Sequence, residues 1–214
     1  VEREHHLINL RDIVLGNTSR LRFVVRFSNC PRIHNESVAD HTFFVATYAY
    51  FIGLALVANG GKLDLGRMLG KALLHDVDEC FSGDFIRMFK HSTPEVKKAI
   101  DDACRSFMTR YCSDATESDK LRLWIFGSWF DSKSDVEGAV VAFADYLSVL
   151  SYIHQEIDLG NKRMEIQLPE LRKFHAVFLT PEFMFIREYV EQAGAILDEM
   201  MVAAGMACEG GCKV

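Results

Sequence analysis

Apolar residues recur three and four positions apart along nearly the whole chain, the spacing of a helical face. No stretch of useful length alternates apolar and polar positions as a half-buried strand would, so the pattern predicts an all-α fold. Leu7, Leu10 and Val14 form a short periodic stretch that Gly16 ends, and Asn17 or Thr18 can cap a helix running through Phe27. Asn35 or Ser37 opens a long helix, apolar nearly all round over 43–58, which Asn59-Gly60-Gly61 closes. Asp64 caps a helix running towards Cys80, and Ser82-Gly83 stops it. Thr93-Pro94-Glu95 combines a capping hydroxyl, a proline at the first helical position and a carboxylate near the positive end of the dipole. Ser134 and Glu137 match the S-x-x-E capping box and open a helix that lasts to about Asp158, before Gly160-Asn161. Thr180-Pro181-Glu182 repeats the Thr-Pro-Glu start for a last helix to about Gly205. On its register Phe183, Ile186, Val190, Ala193 and Leu197 make an apolar face that suits either the domain's own core or another subunit. Residues 1–205 are expected to form one domain, and 206–214 a disordered tail.

Composition narrows the classes of function. A chain of 214 residues that is 49% hydrophobic and 25% charged has the makeup of an ordinary globular protein with a full core. Its net charge of −6, with no long Lys/Arg cluster, argues against a nucleic-acid partner, whose phosphate backbone needs a basic face. A phosphorylated metabolite is still within reach if a metal and a few local cations reverse the field. The six cysteines, including Cys208 and Cys212 in the tail, contain no C-x-x-C pair, which predicts reduced thiols and a cytoplasmic protein. The charged start of the chain lacks the apolar core of a signal peptide. The segment 43–58 is shorter than the ~18–20 residues of a membrane span and carries Thr47, Tyr48 and Tyr50, so a buried core helix is expected there and no membrane partner.

The informative residues are ionisable groups on faces that should be core. On the Asp64 helix, Leu65, Met68, Leu69 and Ala72 make one stripe; Asp76 falls on it and His75 lies at its border. On the Ser134 helix, Val141, Ala142, Val149 and Tyr152 flank Asp145, and His41 opens the long apolar helix. Taken singly, an inward His is more often a hydrogen-bonded core residue than a ligand. Together, two neutral imidazoles and two carboxylates entering one core call for a shared partner, because an unpaired buried carboxylate costs several kcal/mol. A divalent cation is the economical choice.

This order, H…HD…D, resembles that of the HD-domain phosphohydrolases: His41 in Ser37-Val38-Ala39-Asp40-His41, then His75-Asp76, then Asp145 in Phe143-Ala144-Asp145-Tyr146-Leu147. The likeness is closer to the bacterial 5′-deoxynucleotidases and the related phage deoxynucleoside triphosphatases, which carry H-D-x-x-E followed by G-D. Here HDVDECFSGD supplies Glu79 and Asp84, Arg26-Phe27 stands in the place of that branch's Arg-Trp pair, and Lys90 lies six residues beyond Asp84. The resemblance covers residues 17–155 as motifs, and the segment after Asp84 lacks the prolines common there. It implies a helical bundle of HD type and one divalent ion per chain (Co, Mn, Zn or Fe(II)) on His41, His75, Asp76 and Asp145. It implies Glu79 as general acid or base, with Asp84 sharing proton transfer or orienting the sugar. Arg26, Phe27, Arg87 and Lys90 would contact a small nucleotide substrate, and a homo-oligomer is expected. The expected reaction is phosphate release from deoxynucleoside 5′-monophosphates. Triphosphate release from dATP is the alternative, and a non-catalytic helical module stabilised by its metal is the second.

Overall fold

The computed structural model describes residues 7–90 and 92–206, except for the side chains of Arg87 and Met88. The side chain of the expected substrate contact Arg87 lies outside that description, as do His91 and the tail from 207 on with Cys208 and Cys212. Among the described residues the secondary structure is helical, apart from one isolated antiparallel bridge between Val25 and Ser37.

After α1 (Leu10–Leu15) comes a 3₁₀ turn, Asn17–Arg22, which stops short of the expected helix through Phe27. The reason is tertiary: Val38 N–H donates to Val24 O at 2.9 Å and Arg26 N–H to Glu36 O at 2.9 Å, drawing this segment into an extended pair with the chain that enters the next helix. That helix, α2 (Val38–Ala58), is capped by Ser37 with Asp40 completing the box. The next, α3 (Leu65–Leu74), is capped by Asp64 but ends before His75, not near Cys80. His75 Nδ1 lies 2.8 Å from Ala72 O, the carbonyl that a continuing helix would give to residue 76, and the chain tightens into i→i−3 bonds before the single turn α4 (Glu79–Ser82).

Beyond the short α5 (Arg87–Lys90), α6 (Pro94–Ala115) starts at the Thr93 cap as expected. A separate α7 (Asp119–Phe130), capped by Ser118, follows and had no counterpart in the sequence reading. The long α8 (Asp135–Asp158) keeps its expected ends, but its capping box does not form. Ser134 Oγ donates to Asp131 O, and Glu137 instead accepts Asp64 N–H at 3.0 Å, tying the start of α3 to α8. A 3₁₀ turn leads to α9 (Leu168–Ala176), and Thr180-Pro181 begins another 3₁₀ turn before α10 (Arg187–Ala203), later than the single last helix expected.

Helices α2, α3 and α8 pack on one another and form the frame of the site. Val45, Ala49, Met68, Ala72, Val141 and Ala144 are fully buried between them. The apolar face of the final segment, Phe183 to Leu197, is buried in this same core, so it serves the domain itself. Gly194 of α10 lies over the His175 ring, where an added Cβ would stand 2.9 Å from Nε2. Gly194→Ala is expected to cost about 1–3 kcal/mol through overpacking, measured as a lower midpoint in urea at constant slope.

The long apolar helix corrects an expectation. One side of α2 is core, but Phe43, Phe44, Phe51 and Leu54 are exposed, because α3 and α8 cover only the face carrying His41 and Val45. By length and composition alone α2 and α8 could each cross a bilayer; α8 is largely enclosed by its neighbours, whereas α2 is buried along one side only.

Candidate metal centre

His41, in the first turn of α2, is fully buried, and its Nε2 points at Nε2 of His75, 3.3 Å away. Asp145 Oδ1 from the middle of α8 lies 3.1 Å from His41 Nε2, and Asp76 Oδ2 lies 3.0 Å from His75 Nε2 and 3.6 Å from His41 Nε2. Helices α2 and α8 and the turn after α3 thus bring His41, His75 and Asp145 together, with Asp76 beside the two imidazoles.

The tautomers suit a cation. A carbonyl can only accept, so His75 Nδ1 carries the proton given to Ala72 O, and Nε2 is the nitrogen left to take a proton or a cation. His41 Nδ1 is 2.9 Å from Ser148 Oγ, which holds the ring with Nε2 inward. Two imidazole nitrogens and two carboxylates turned towards one another repel unless positive charge stands among them. The electrostatics of the protein agree. Burial, followed by the Arg26 charge, lowers the His41 pKa to about 4. Burial also opposes charge on His75, yet Asp76 and Asp145 outweigh it and raise its proton affinity. For Asp145, burial opposes ionisation, but Lys133 and the two imidazoles hold its carboxyl well below the usual range. His41, His75 and Asp145 fit a divalent cation as donors, and Asp76 stands beside them.

Around this point runs a cleft of about 500 Å³. Arg26, Phe27, Glu79, Asp84 and Lys90, all expected at the site, line it with Asp76 and Asp145. Glu79, one turn past His75, has a buried Oε2 without a hydrogen-bond partner; burial first, then Asp76 and Asp84, push its carboxyl up to about 10. A carboxyl so placed carries a proton and faces the cleft.

Arg26 is set by two contacts that the motif does not contain. Glu36, itself buried, accepts from Arg26 Nη1 at 3.0 Å, and the Arg26 backbone is held by Glu36 O. Burial, offset in part by Arg26, raises the Glu36 carboxyl to about 7. The next residue, Phe27, has φ +51°, a left-handed conformation costing roughly 1–2 kcal/mol outside glycine. Its carbonyl is held accordingly, accepting from Arg32 Nη1 at 3.0 Å and Cys30 N at 2.9 Å. One face of the Phe27 ring is stacked on Tyr152, with centroids 5.0 Å apart. The turn at Phe27 therefore first serves to present Arg26, and Asp84 stands beside it in the cleft.

Sequence reasoning missed Lys133, which pairs with Asp145 in the cleft, and Gln167, Glu170, Lys173 and Phe174, which bring α9 to its far wall. It also missed Glu156, fully buried, which accepts from Ile33 N at 2.7 Å, His34 N at 2.6 Å and Asn161 Nδ2 at 2.6 Å and so fastens the loop carrying Glu36 to α8. An acidic residue near the end of a long helix carries no mark of such a role in sequence.

A family model for YfbR-like 5′-deoxynucleotidases matches residues 15–193. The chain belongs to this family. Similar proteins include a 5′-deoxynucleotidase of Pasteurella multocida, 26% identical over 85% of this chain and 93% of its own. A 5′-deoxynucleotidase of Vibrio vulnificus is 24% identical over 86% of this chain and 96% of its own. The fold is shared with the crystal structure of an HD-domain phosphohydrolase from Listeria innocua, with a TM-score of 0.65 at 20% identity over 91% of this chain and 94% of that one. Membership in the YfbR-like family bears out the resemblance to the bacterial 5′-deoxynucleotidases.

Proposed function

We propose that this chain is a metal-dependent 5′-deoxynucleotidase that releases inorganic phosphate from deoxyribonucleoside 5′-monophosphates. The observation that carries the reading is the convergence of His41 Nε2, His75 Nε2, Asp76 and Asp145 beside an unpartnered buried oxygen of Glu79. These four residues would hold one divalent ion per chain: Co, Mn, Zn or Fe(II). When bound, the ion would supply Lewis acidity, drawing charge from phosphorus and acidifying a water. Hydrolysis forms a bond from water oxygen to phosphorus and breaks the bond to O5′, which must gain a proton. Glu79 Oε2 is the donor for O5′, and the resulting carboxylate takes the proton from water. Arg26, fixed by Glu36, offers its remaining N–H groups to the phosphate oxygens. Asp84 and Lys90 line the same cleft, where Lys90 adds positive charge.

Lys133 and Lys173 also line the cleft, giving it more cations than the motifs alone provide, and this favours dATP triphosphohydrolase as the second reading. Family membership supports the monophosphate reading. Assays of dAMP and dATP with each metal separate them. Orthophosphate from dAMP is the expected product; tripolyphosphate from dATP would install the alternative. Hydrolysis of neither substrate with any metal would leave a metal-stabilised binding module. One metal per chain is expected, and two would require a dinuclear site. A homo-oligomer is part of this proposal, supported by the exposed phenylalanines of α2, as is a cytoplasmic location, supported by free thiols at Cys30, Cys80, Cys104 and Cys112.

A further inference from the structure

Lys133 lies in the short connection between α7 and α8, twelve positions before Asp145, and belongs to none of the motifs above. Its ammonium pairs with Asp145 Oδ2, and its side chain, 45% exposed, lines the cleft with Arg26 and Glu79. A lysine on a loop of this kind is usually free to swing. This loop is not. Lys71 of α3, 1% exposed, sends its Nζ into it, donating to Asp131 O at 2.6 Å, Ser134 O at 3.0 Å and both oxygens of Asp135 at 2.9 Å. Asp135 is held at φ +66°, outside the usual range for a residue with a Cβ, and its Oδ1 also accepts Gly138 N–H at 2.9 Å. Gly138 permits the close turn, since a Cβ there would stand 2.7 Å from the Lys133 carbonyl carbon. A buried cation, a strained backbone and a glycine contact together fix the direction in which Lys133 leaves the chain, a degree of order that a merely solvated lysine does not need.

We propose that Lys133 is a phosphate-binding residue of the active site. Asp145 Oδ2 holds its ammonium on the α8 side of the cleft, while Arg26 enters from the turn before α2. Together they present cations from two directions to the dianionic phosphoryl group, with Lys71 as the positioning residue that keeps the Lys133 loop in register. The assignment rests on the nucleotidase reading for the identity of the substrate, but its own test uses inorganic phosphate, so the two can fail separately.

In metal-loaded protein, Lys133→Ala should weaken inorganic phosphate by about tenfold or more, the worth of a charge-assisted hydrogen bond, read as a smaller rise in melting temperature across a phosphate titration. Its KM for dAMP should rise by a similar factor, while inhibition by deoxyadenosine and the metal content stay as in the parent. Lys133→Arg should recover most of the phosphate affinity. The parent's failure to hydrolyse dAMP would remove the nucleotidase reading but not the phosphate titration. Unchanged phosphate affinity in Lys133→Ala overturns the assignment. So does a loss of metal in proportion to the loss of phosphate, because Lys133 would then serve only to place Asp145.

Discussion

Asp76→Ala is expected to lose the divalent ion and to lower turnover by about three orders of magnitude or more. The ion's share of charge stabilisation in such a reaction is several kcal/mol, each 1.4 kcal/mol being a factor of ten. The carboxylate stands 3.0 Å from His75 Nε2, and it leads the charges that keep positive charge welcome there. Without it, two imidazoles and a single carboxylate remain to bind the ion. Metal analysis of dialysed protein and dAMP hydrolysis measure both halves of the prediction. A chelator should bring the parent to the same low activity, and adding metal back should rescue the parent alone. If the variant keeps a full complement of metal and full activity, the reactive centre is not at this cluster.

The second large effect belongs to Glu79. Glu79→Gln keeps the shape of the side chain and removes its proton chemistry, so kcat should fall by about 10²–10⁴-fold with metal content and KM nearly unchanged. The sign of the pH dependence follows from its state. Burial and the neighbouring Asp76 and Asp84 push its pKa up to about 10, so the active form is the protonated one and activity is lost as pH rises through that group's pKa. A bound cation pulls that limb towards lower pH, and the limb should be missing in the variant. Loss of metal along with activity would make Glu79 a ligand and would remove its role as proton donor.

Set against each other, the two variants separate holding an ion from moving a proton. Asp76 and Glu79 are three residues apart on one tightened turn, yet one faces the two imidazoles and the other ends in an unpartnered oxygen. The tightening itself comes from His75, whose Nδ1 takes the carbonyl that would otherwise continue α3. Residue periodicity places Asp76 and His75 near the core, but the interruption depends on a side chain competing with the backbone for one acceptor, and no helical template includes that.

How far the sequence carries can be judged residue by residue. His41, Asp76 and Asp145 were legible because each is an ionisable group at an inward helical position, where burial without a partner is costly. Ser37, Asp64 and Thr93 were legible as caps because capping is local, decided within four residues. The box at Ser134 looked as good and does not form, since Glu137 meets Asp64 from α3 instead. The helix through Phe27 failed for the same kind of reason: its backbone groups found partners at Glu36 and Val38. The outer face of α2 read as core because apolar composition does not say which side a neighbour covers.

By itself, then, the sequence determined the helical class, the starts of α2, α3, α6 and α8 and the set of ionisable residues that turn inward, all of which follow from short-range periodicity, capping chemistry and the cost of burying charge. Tertiary structure alone decided that Glu36 orients Arg26, that Glu156 fastens the loop before α2, and that Lys71 aims Lys133 into the cleft. Those contacts join residues that local spacing does not relate. Which partner a buried charge meets depends on how whole helices pack, and that is settled only when the core closes.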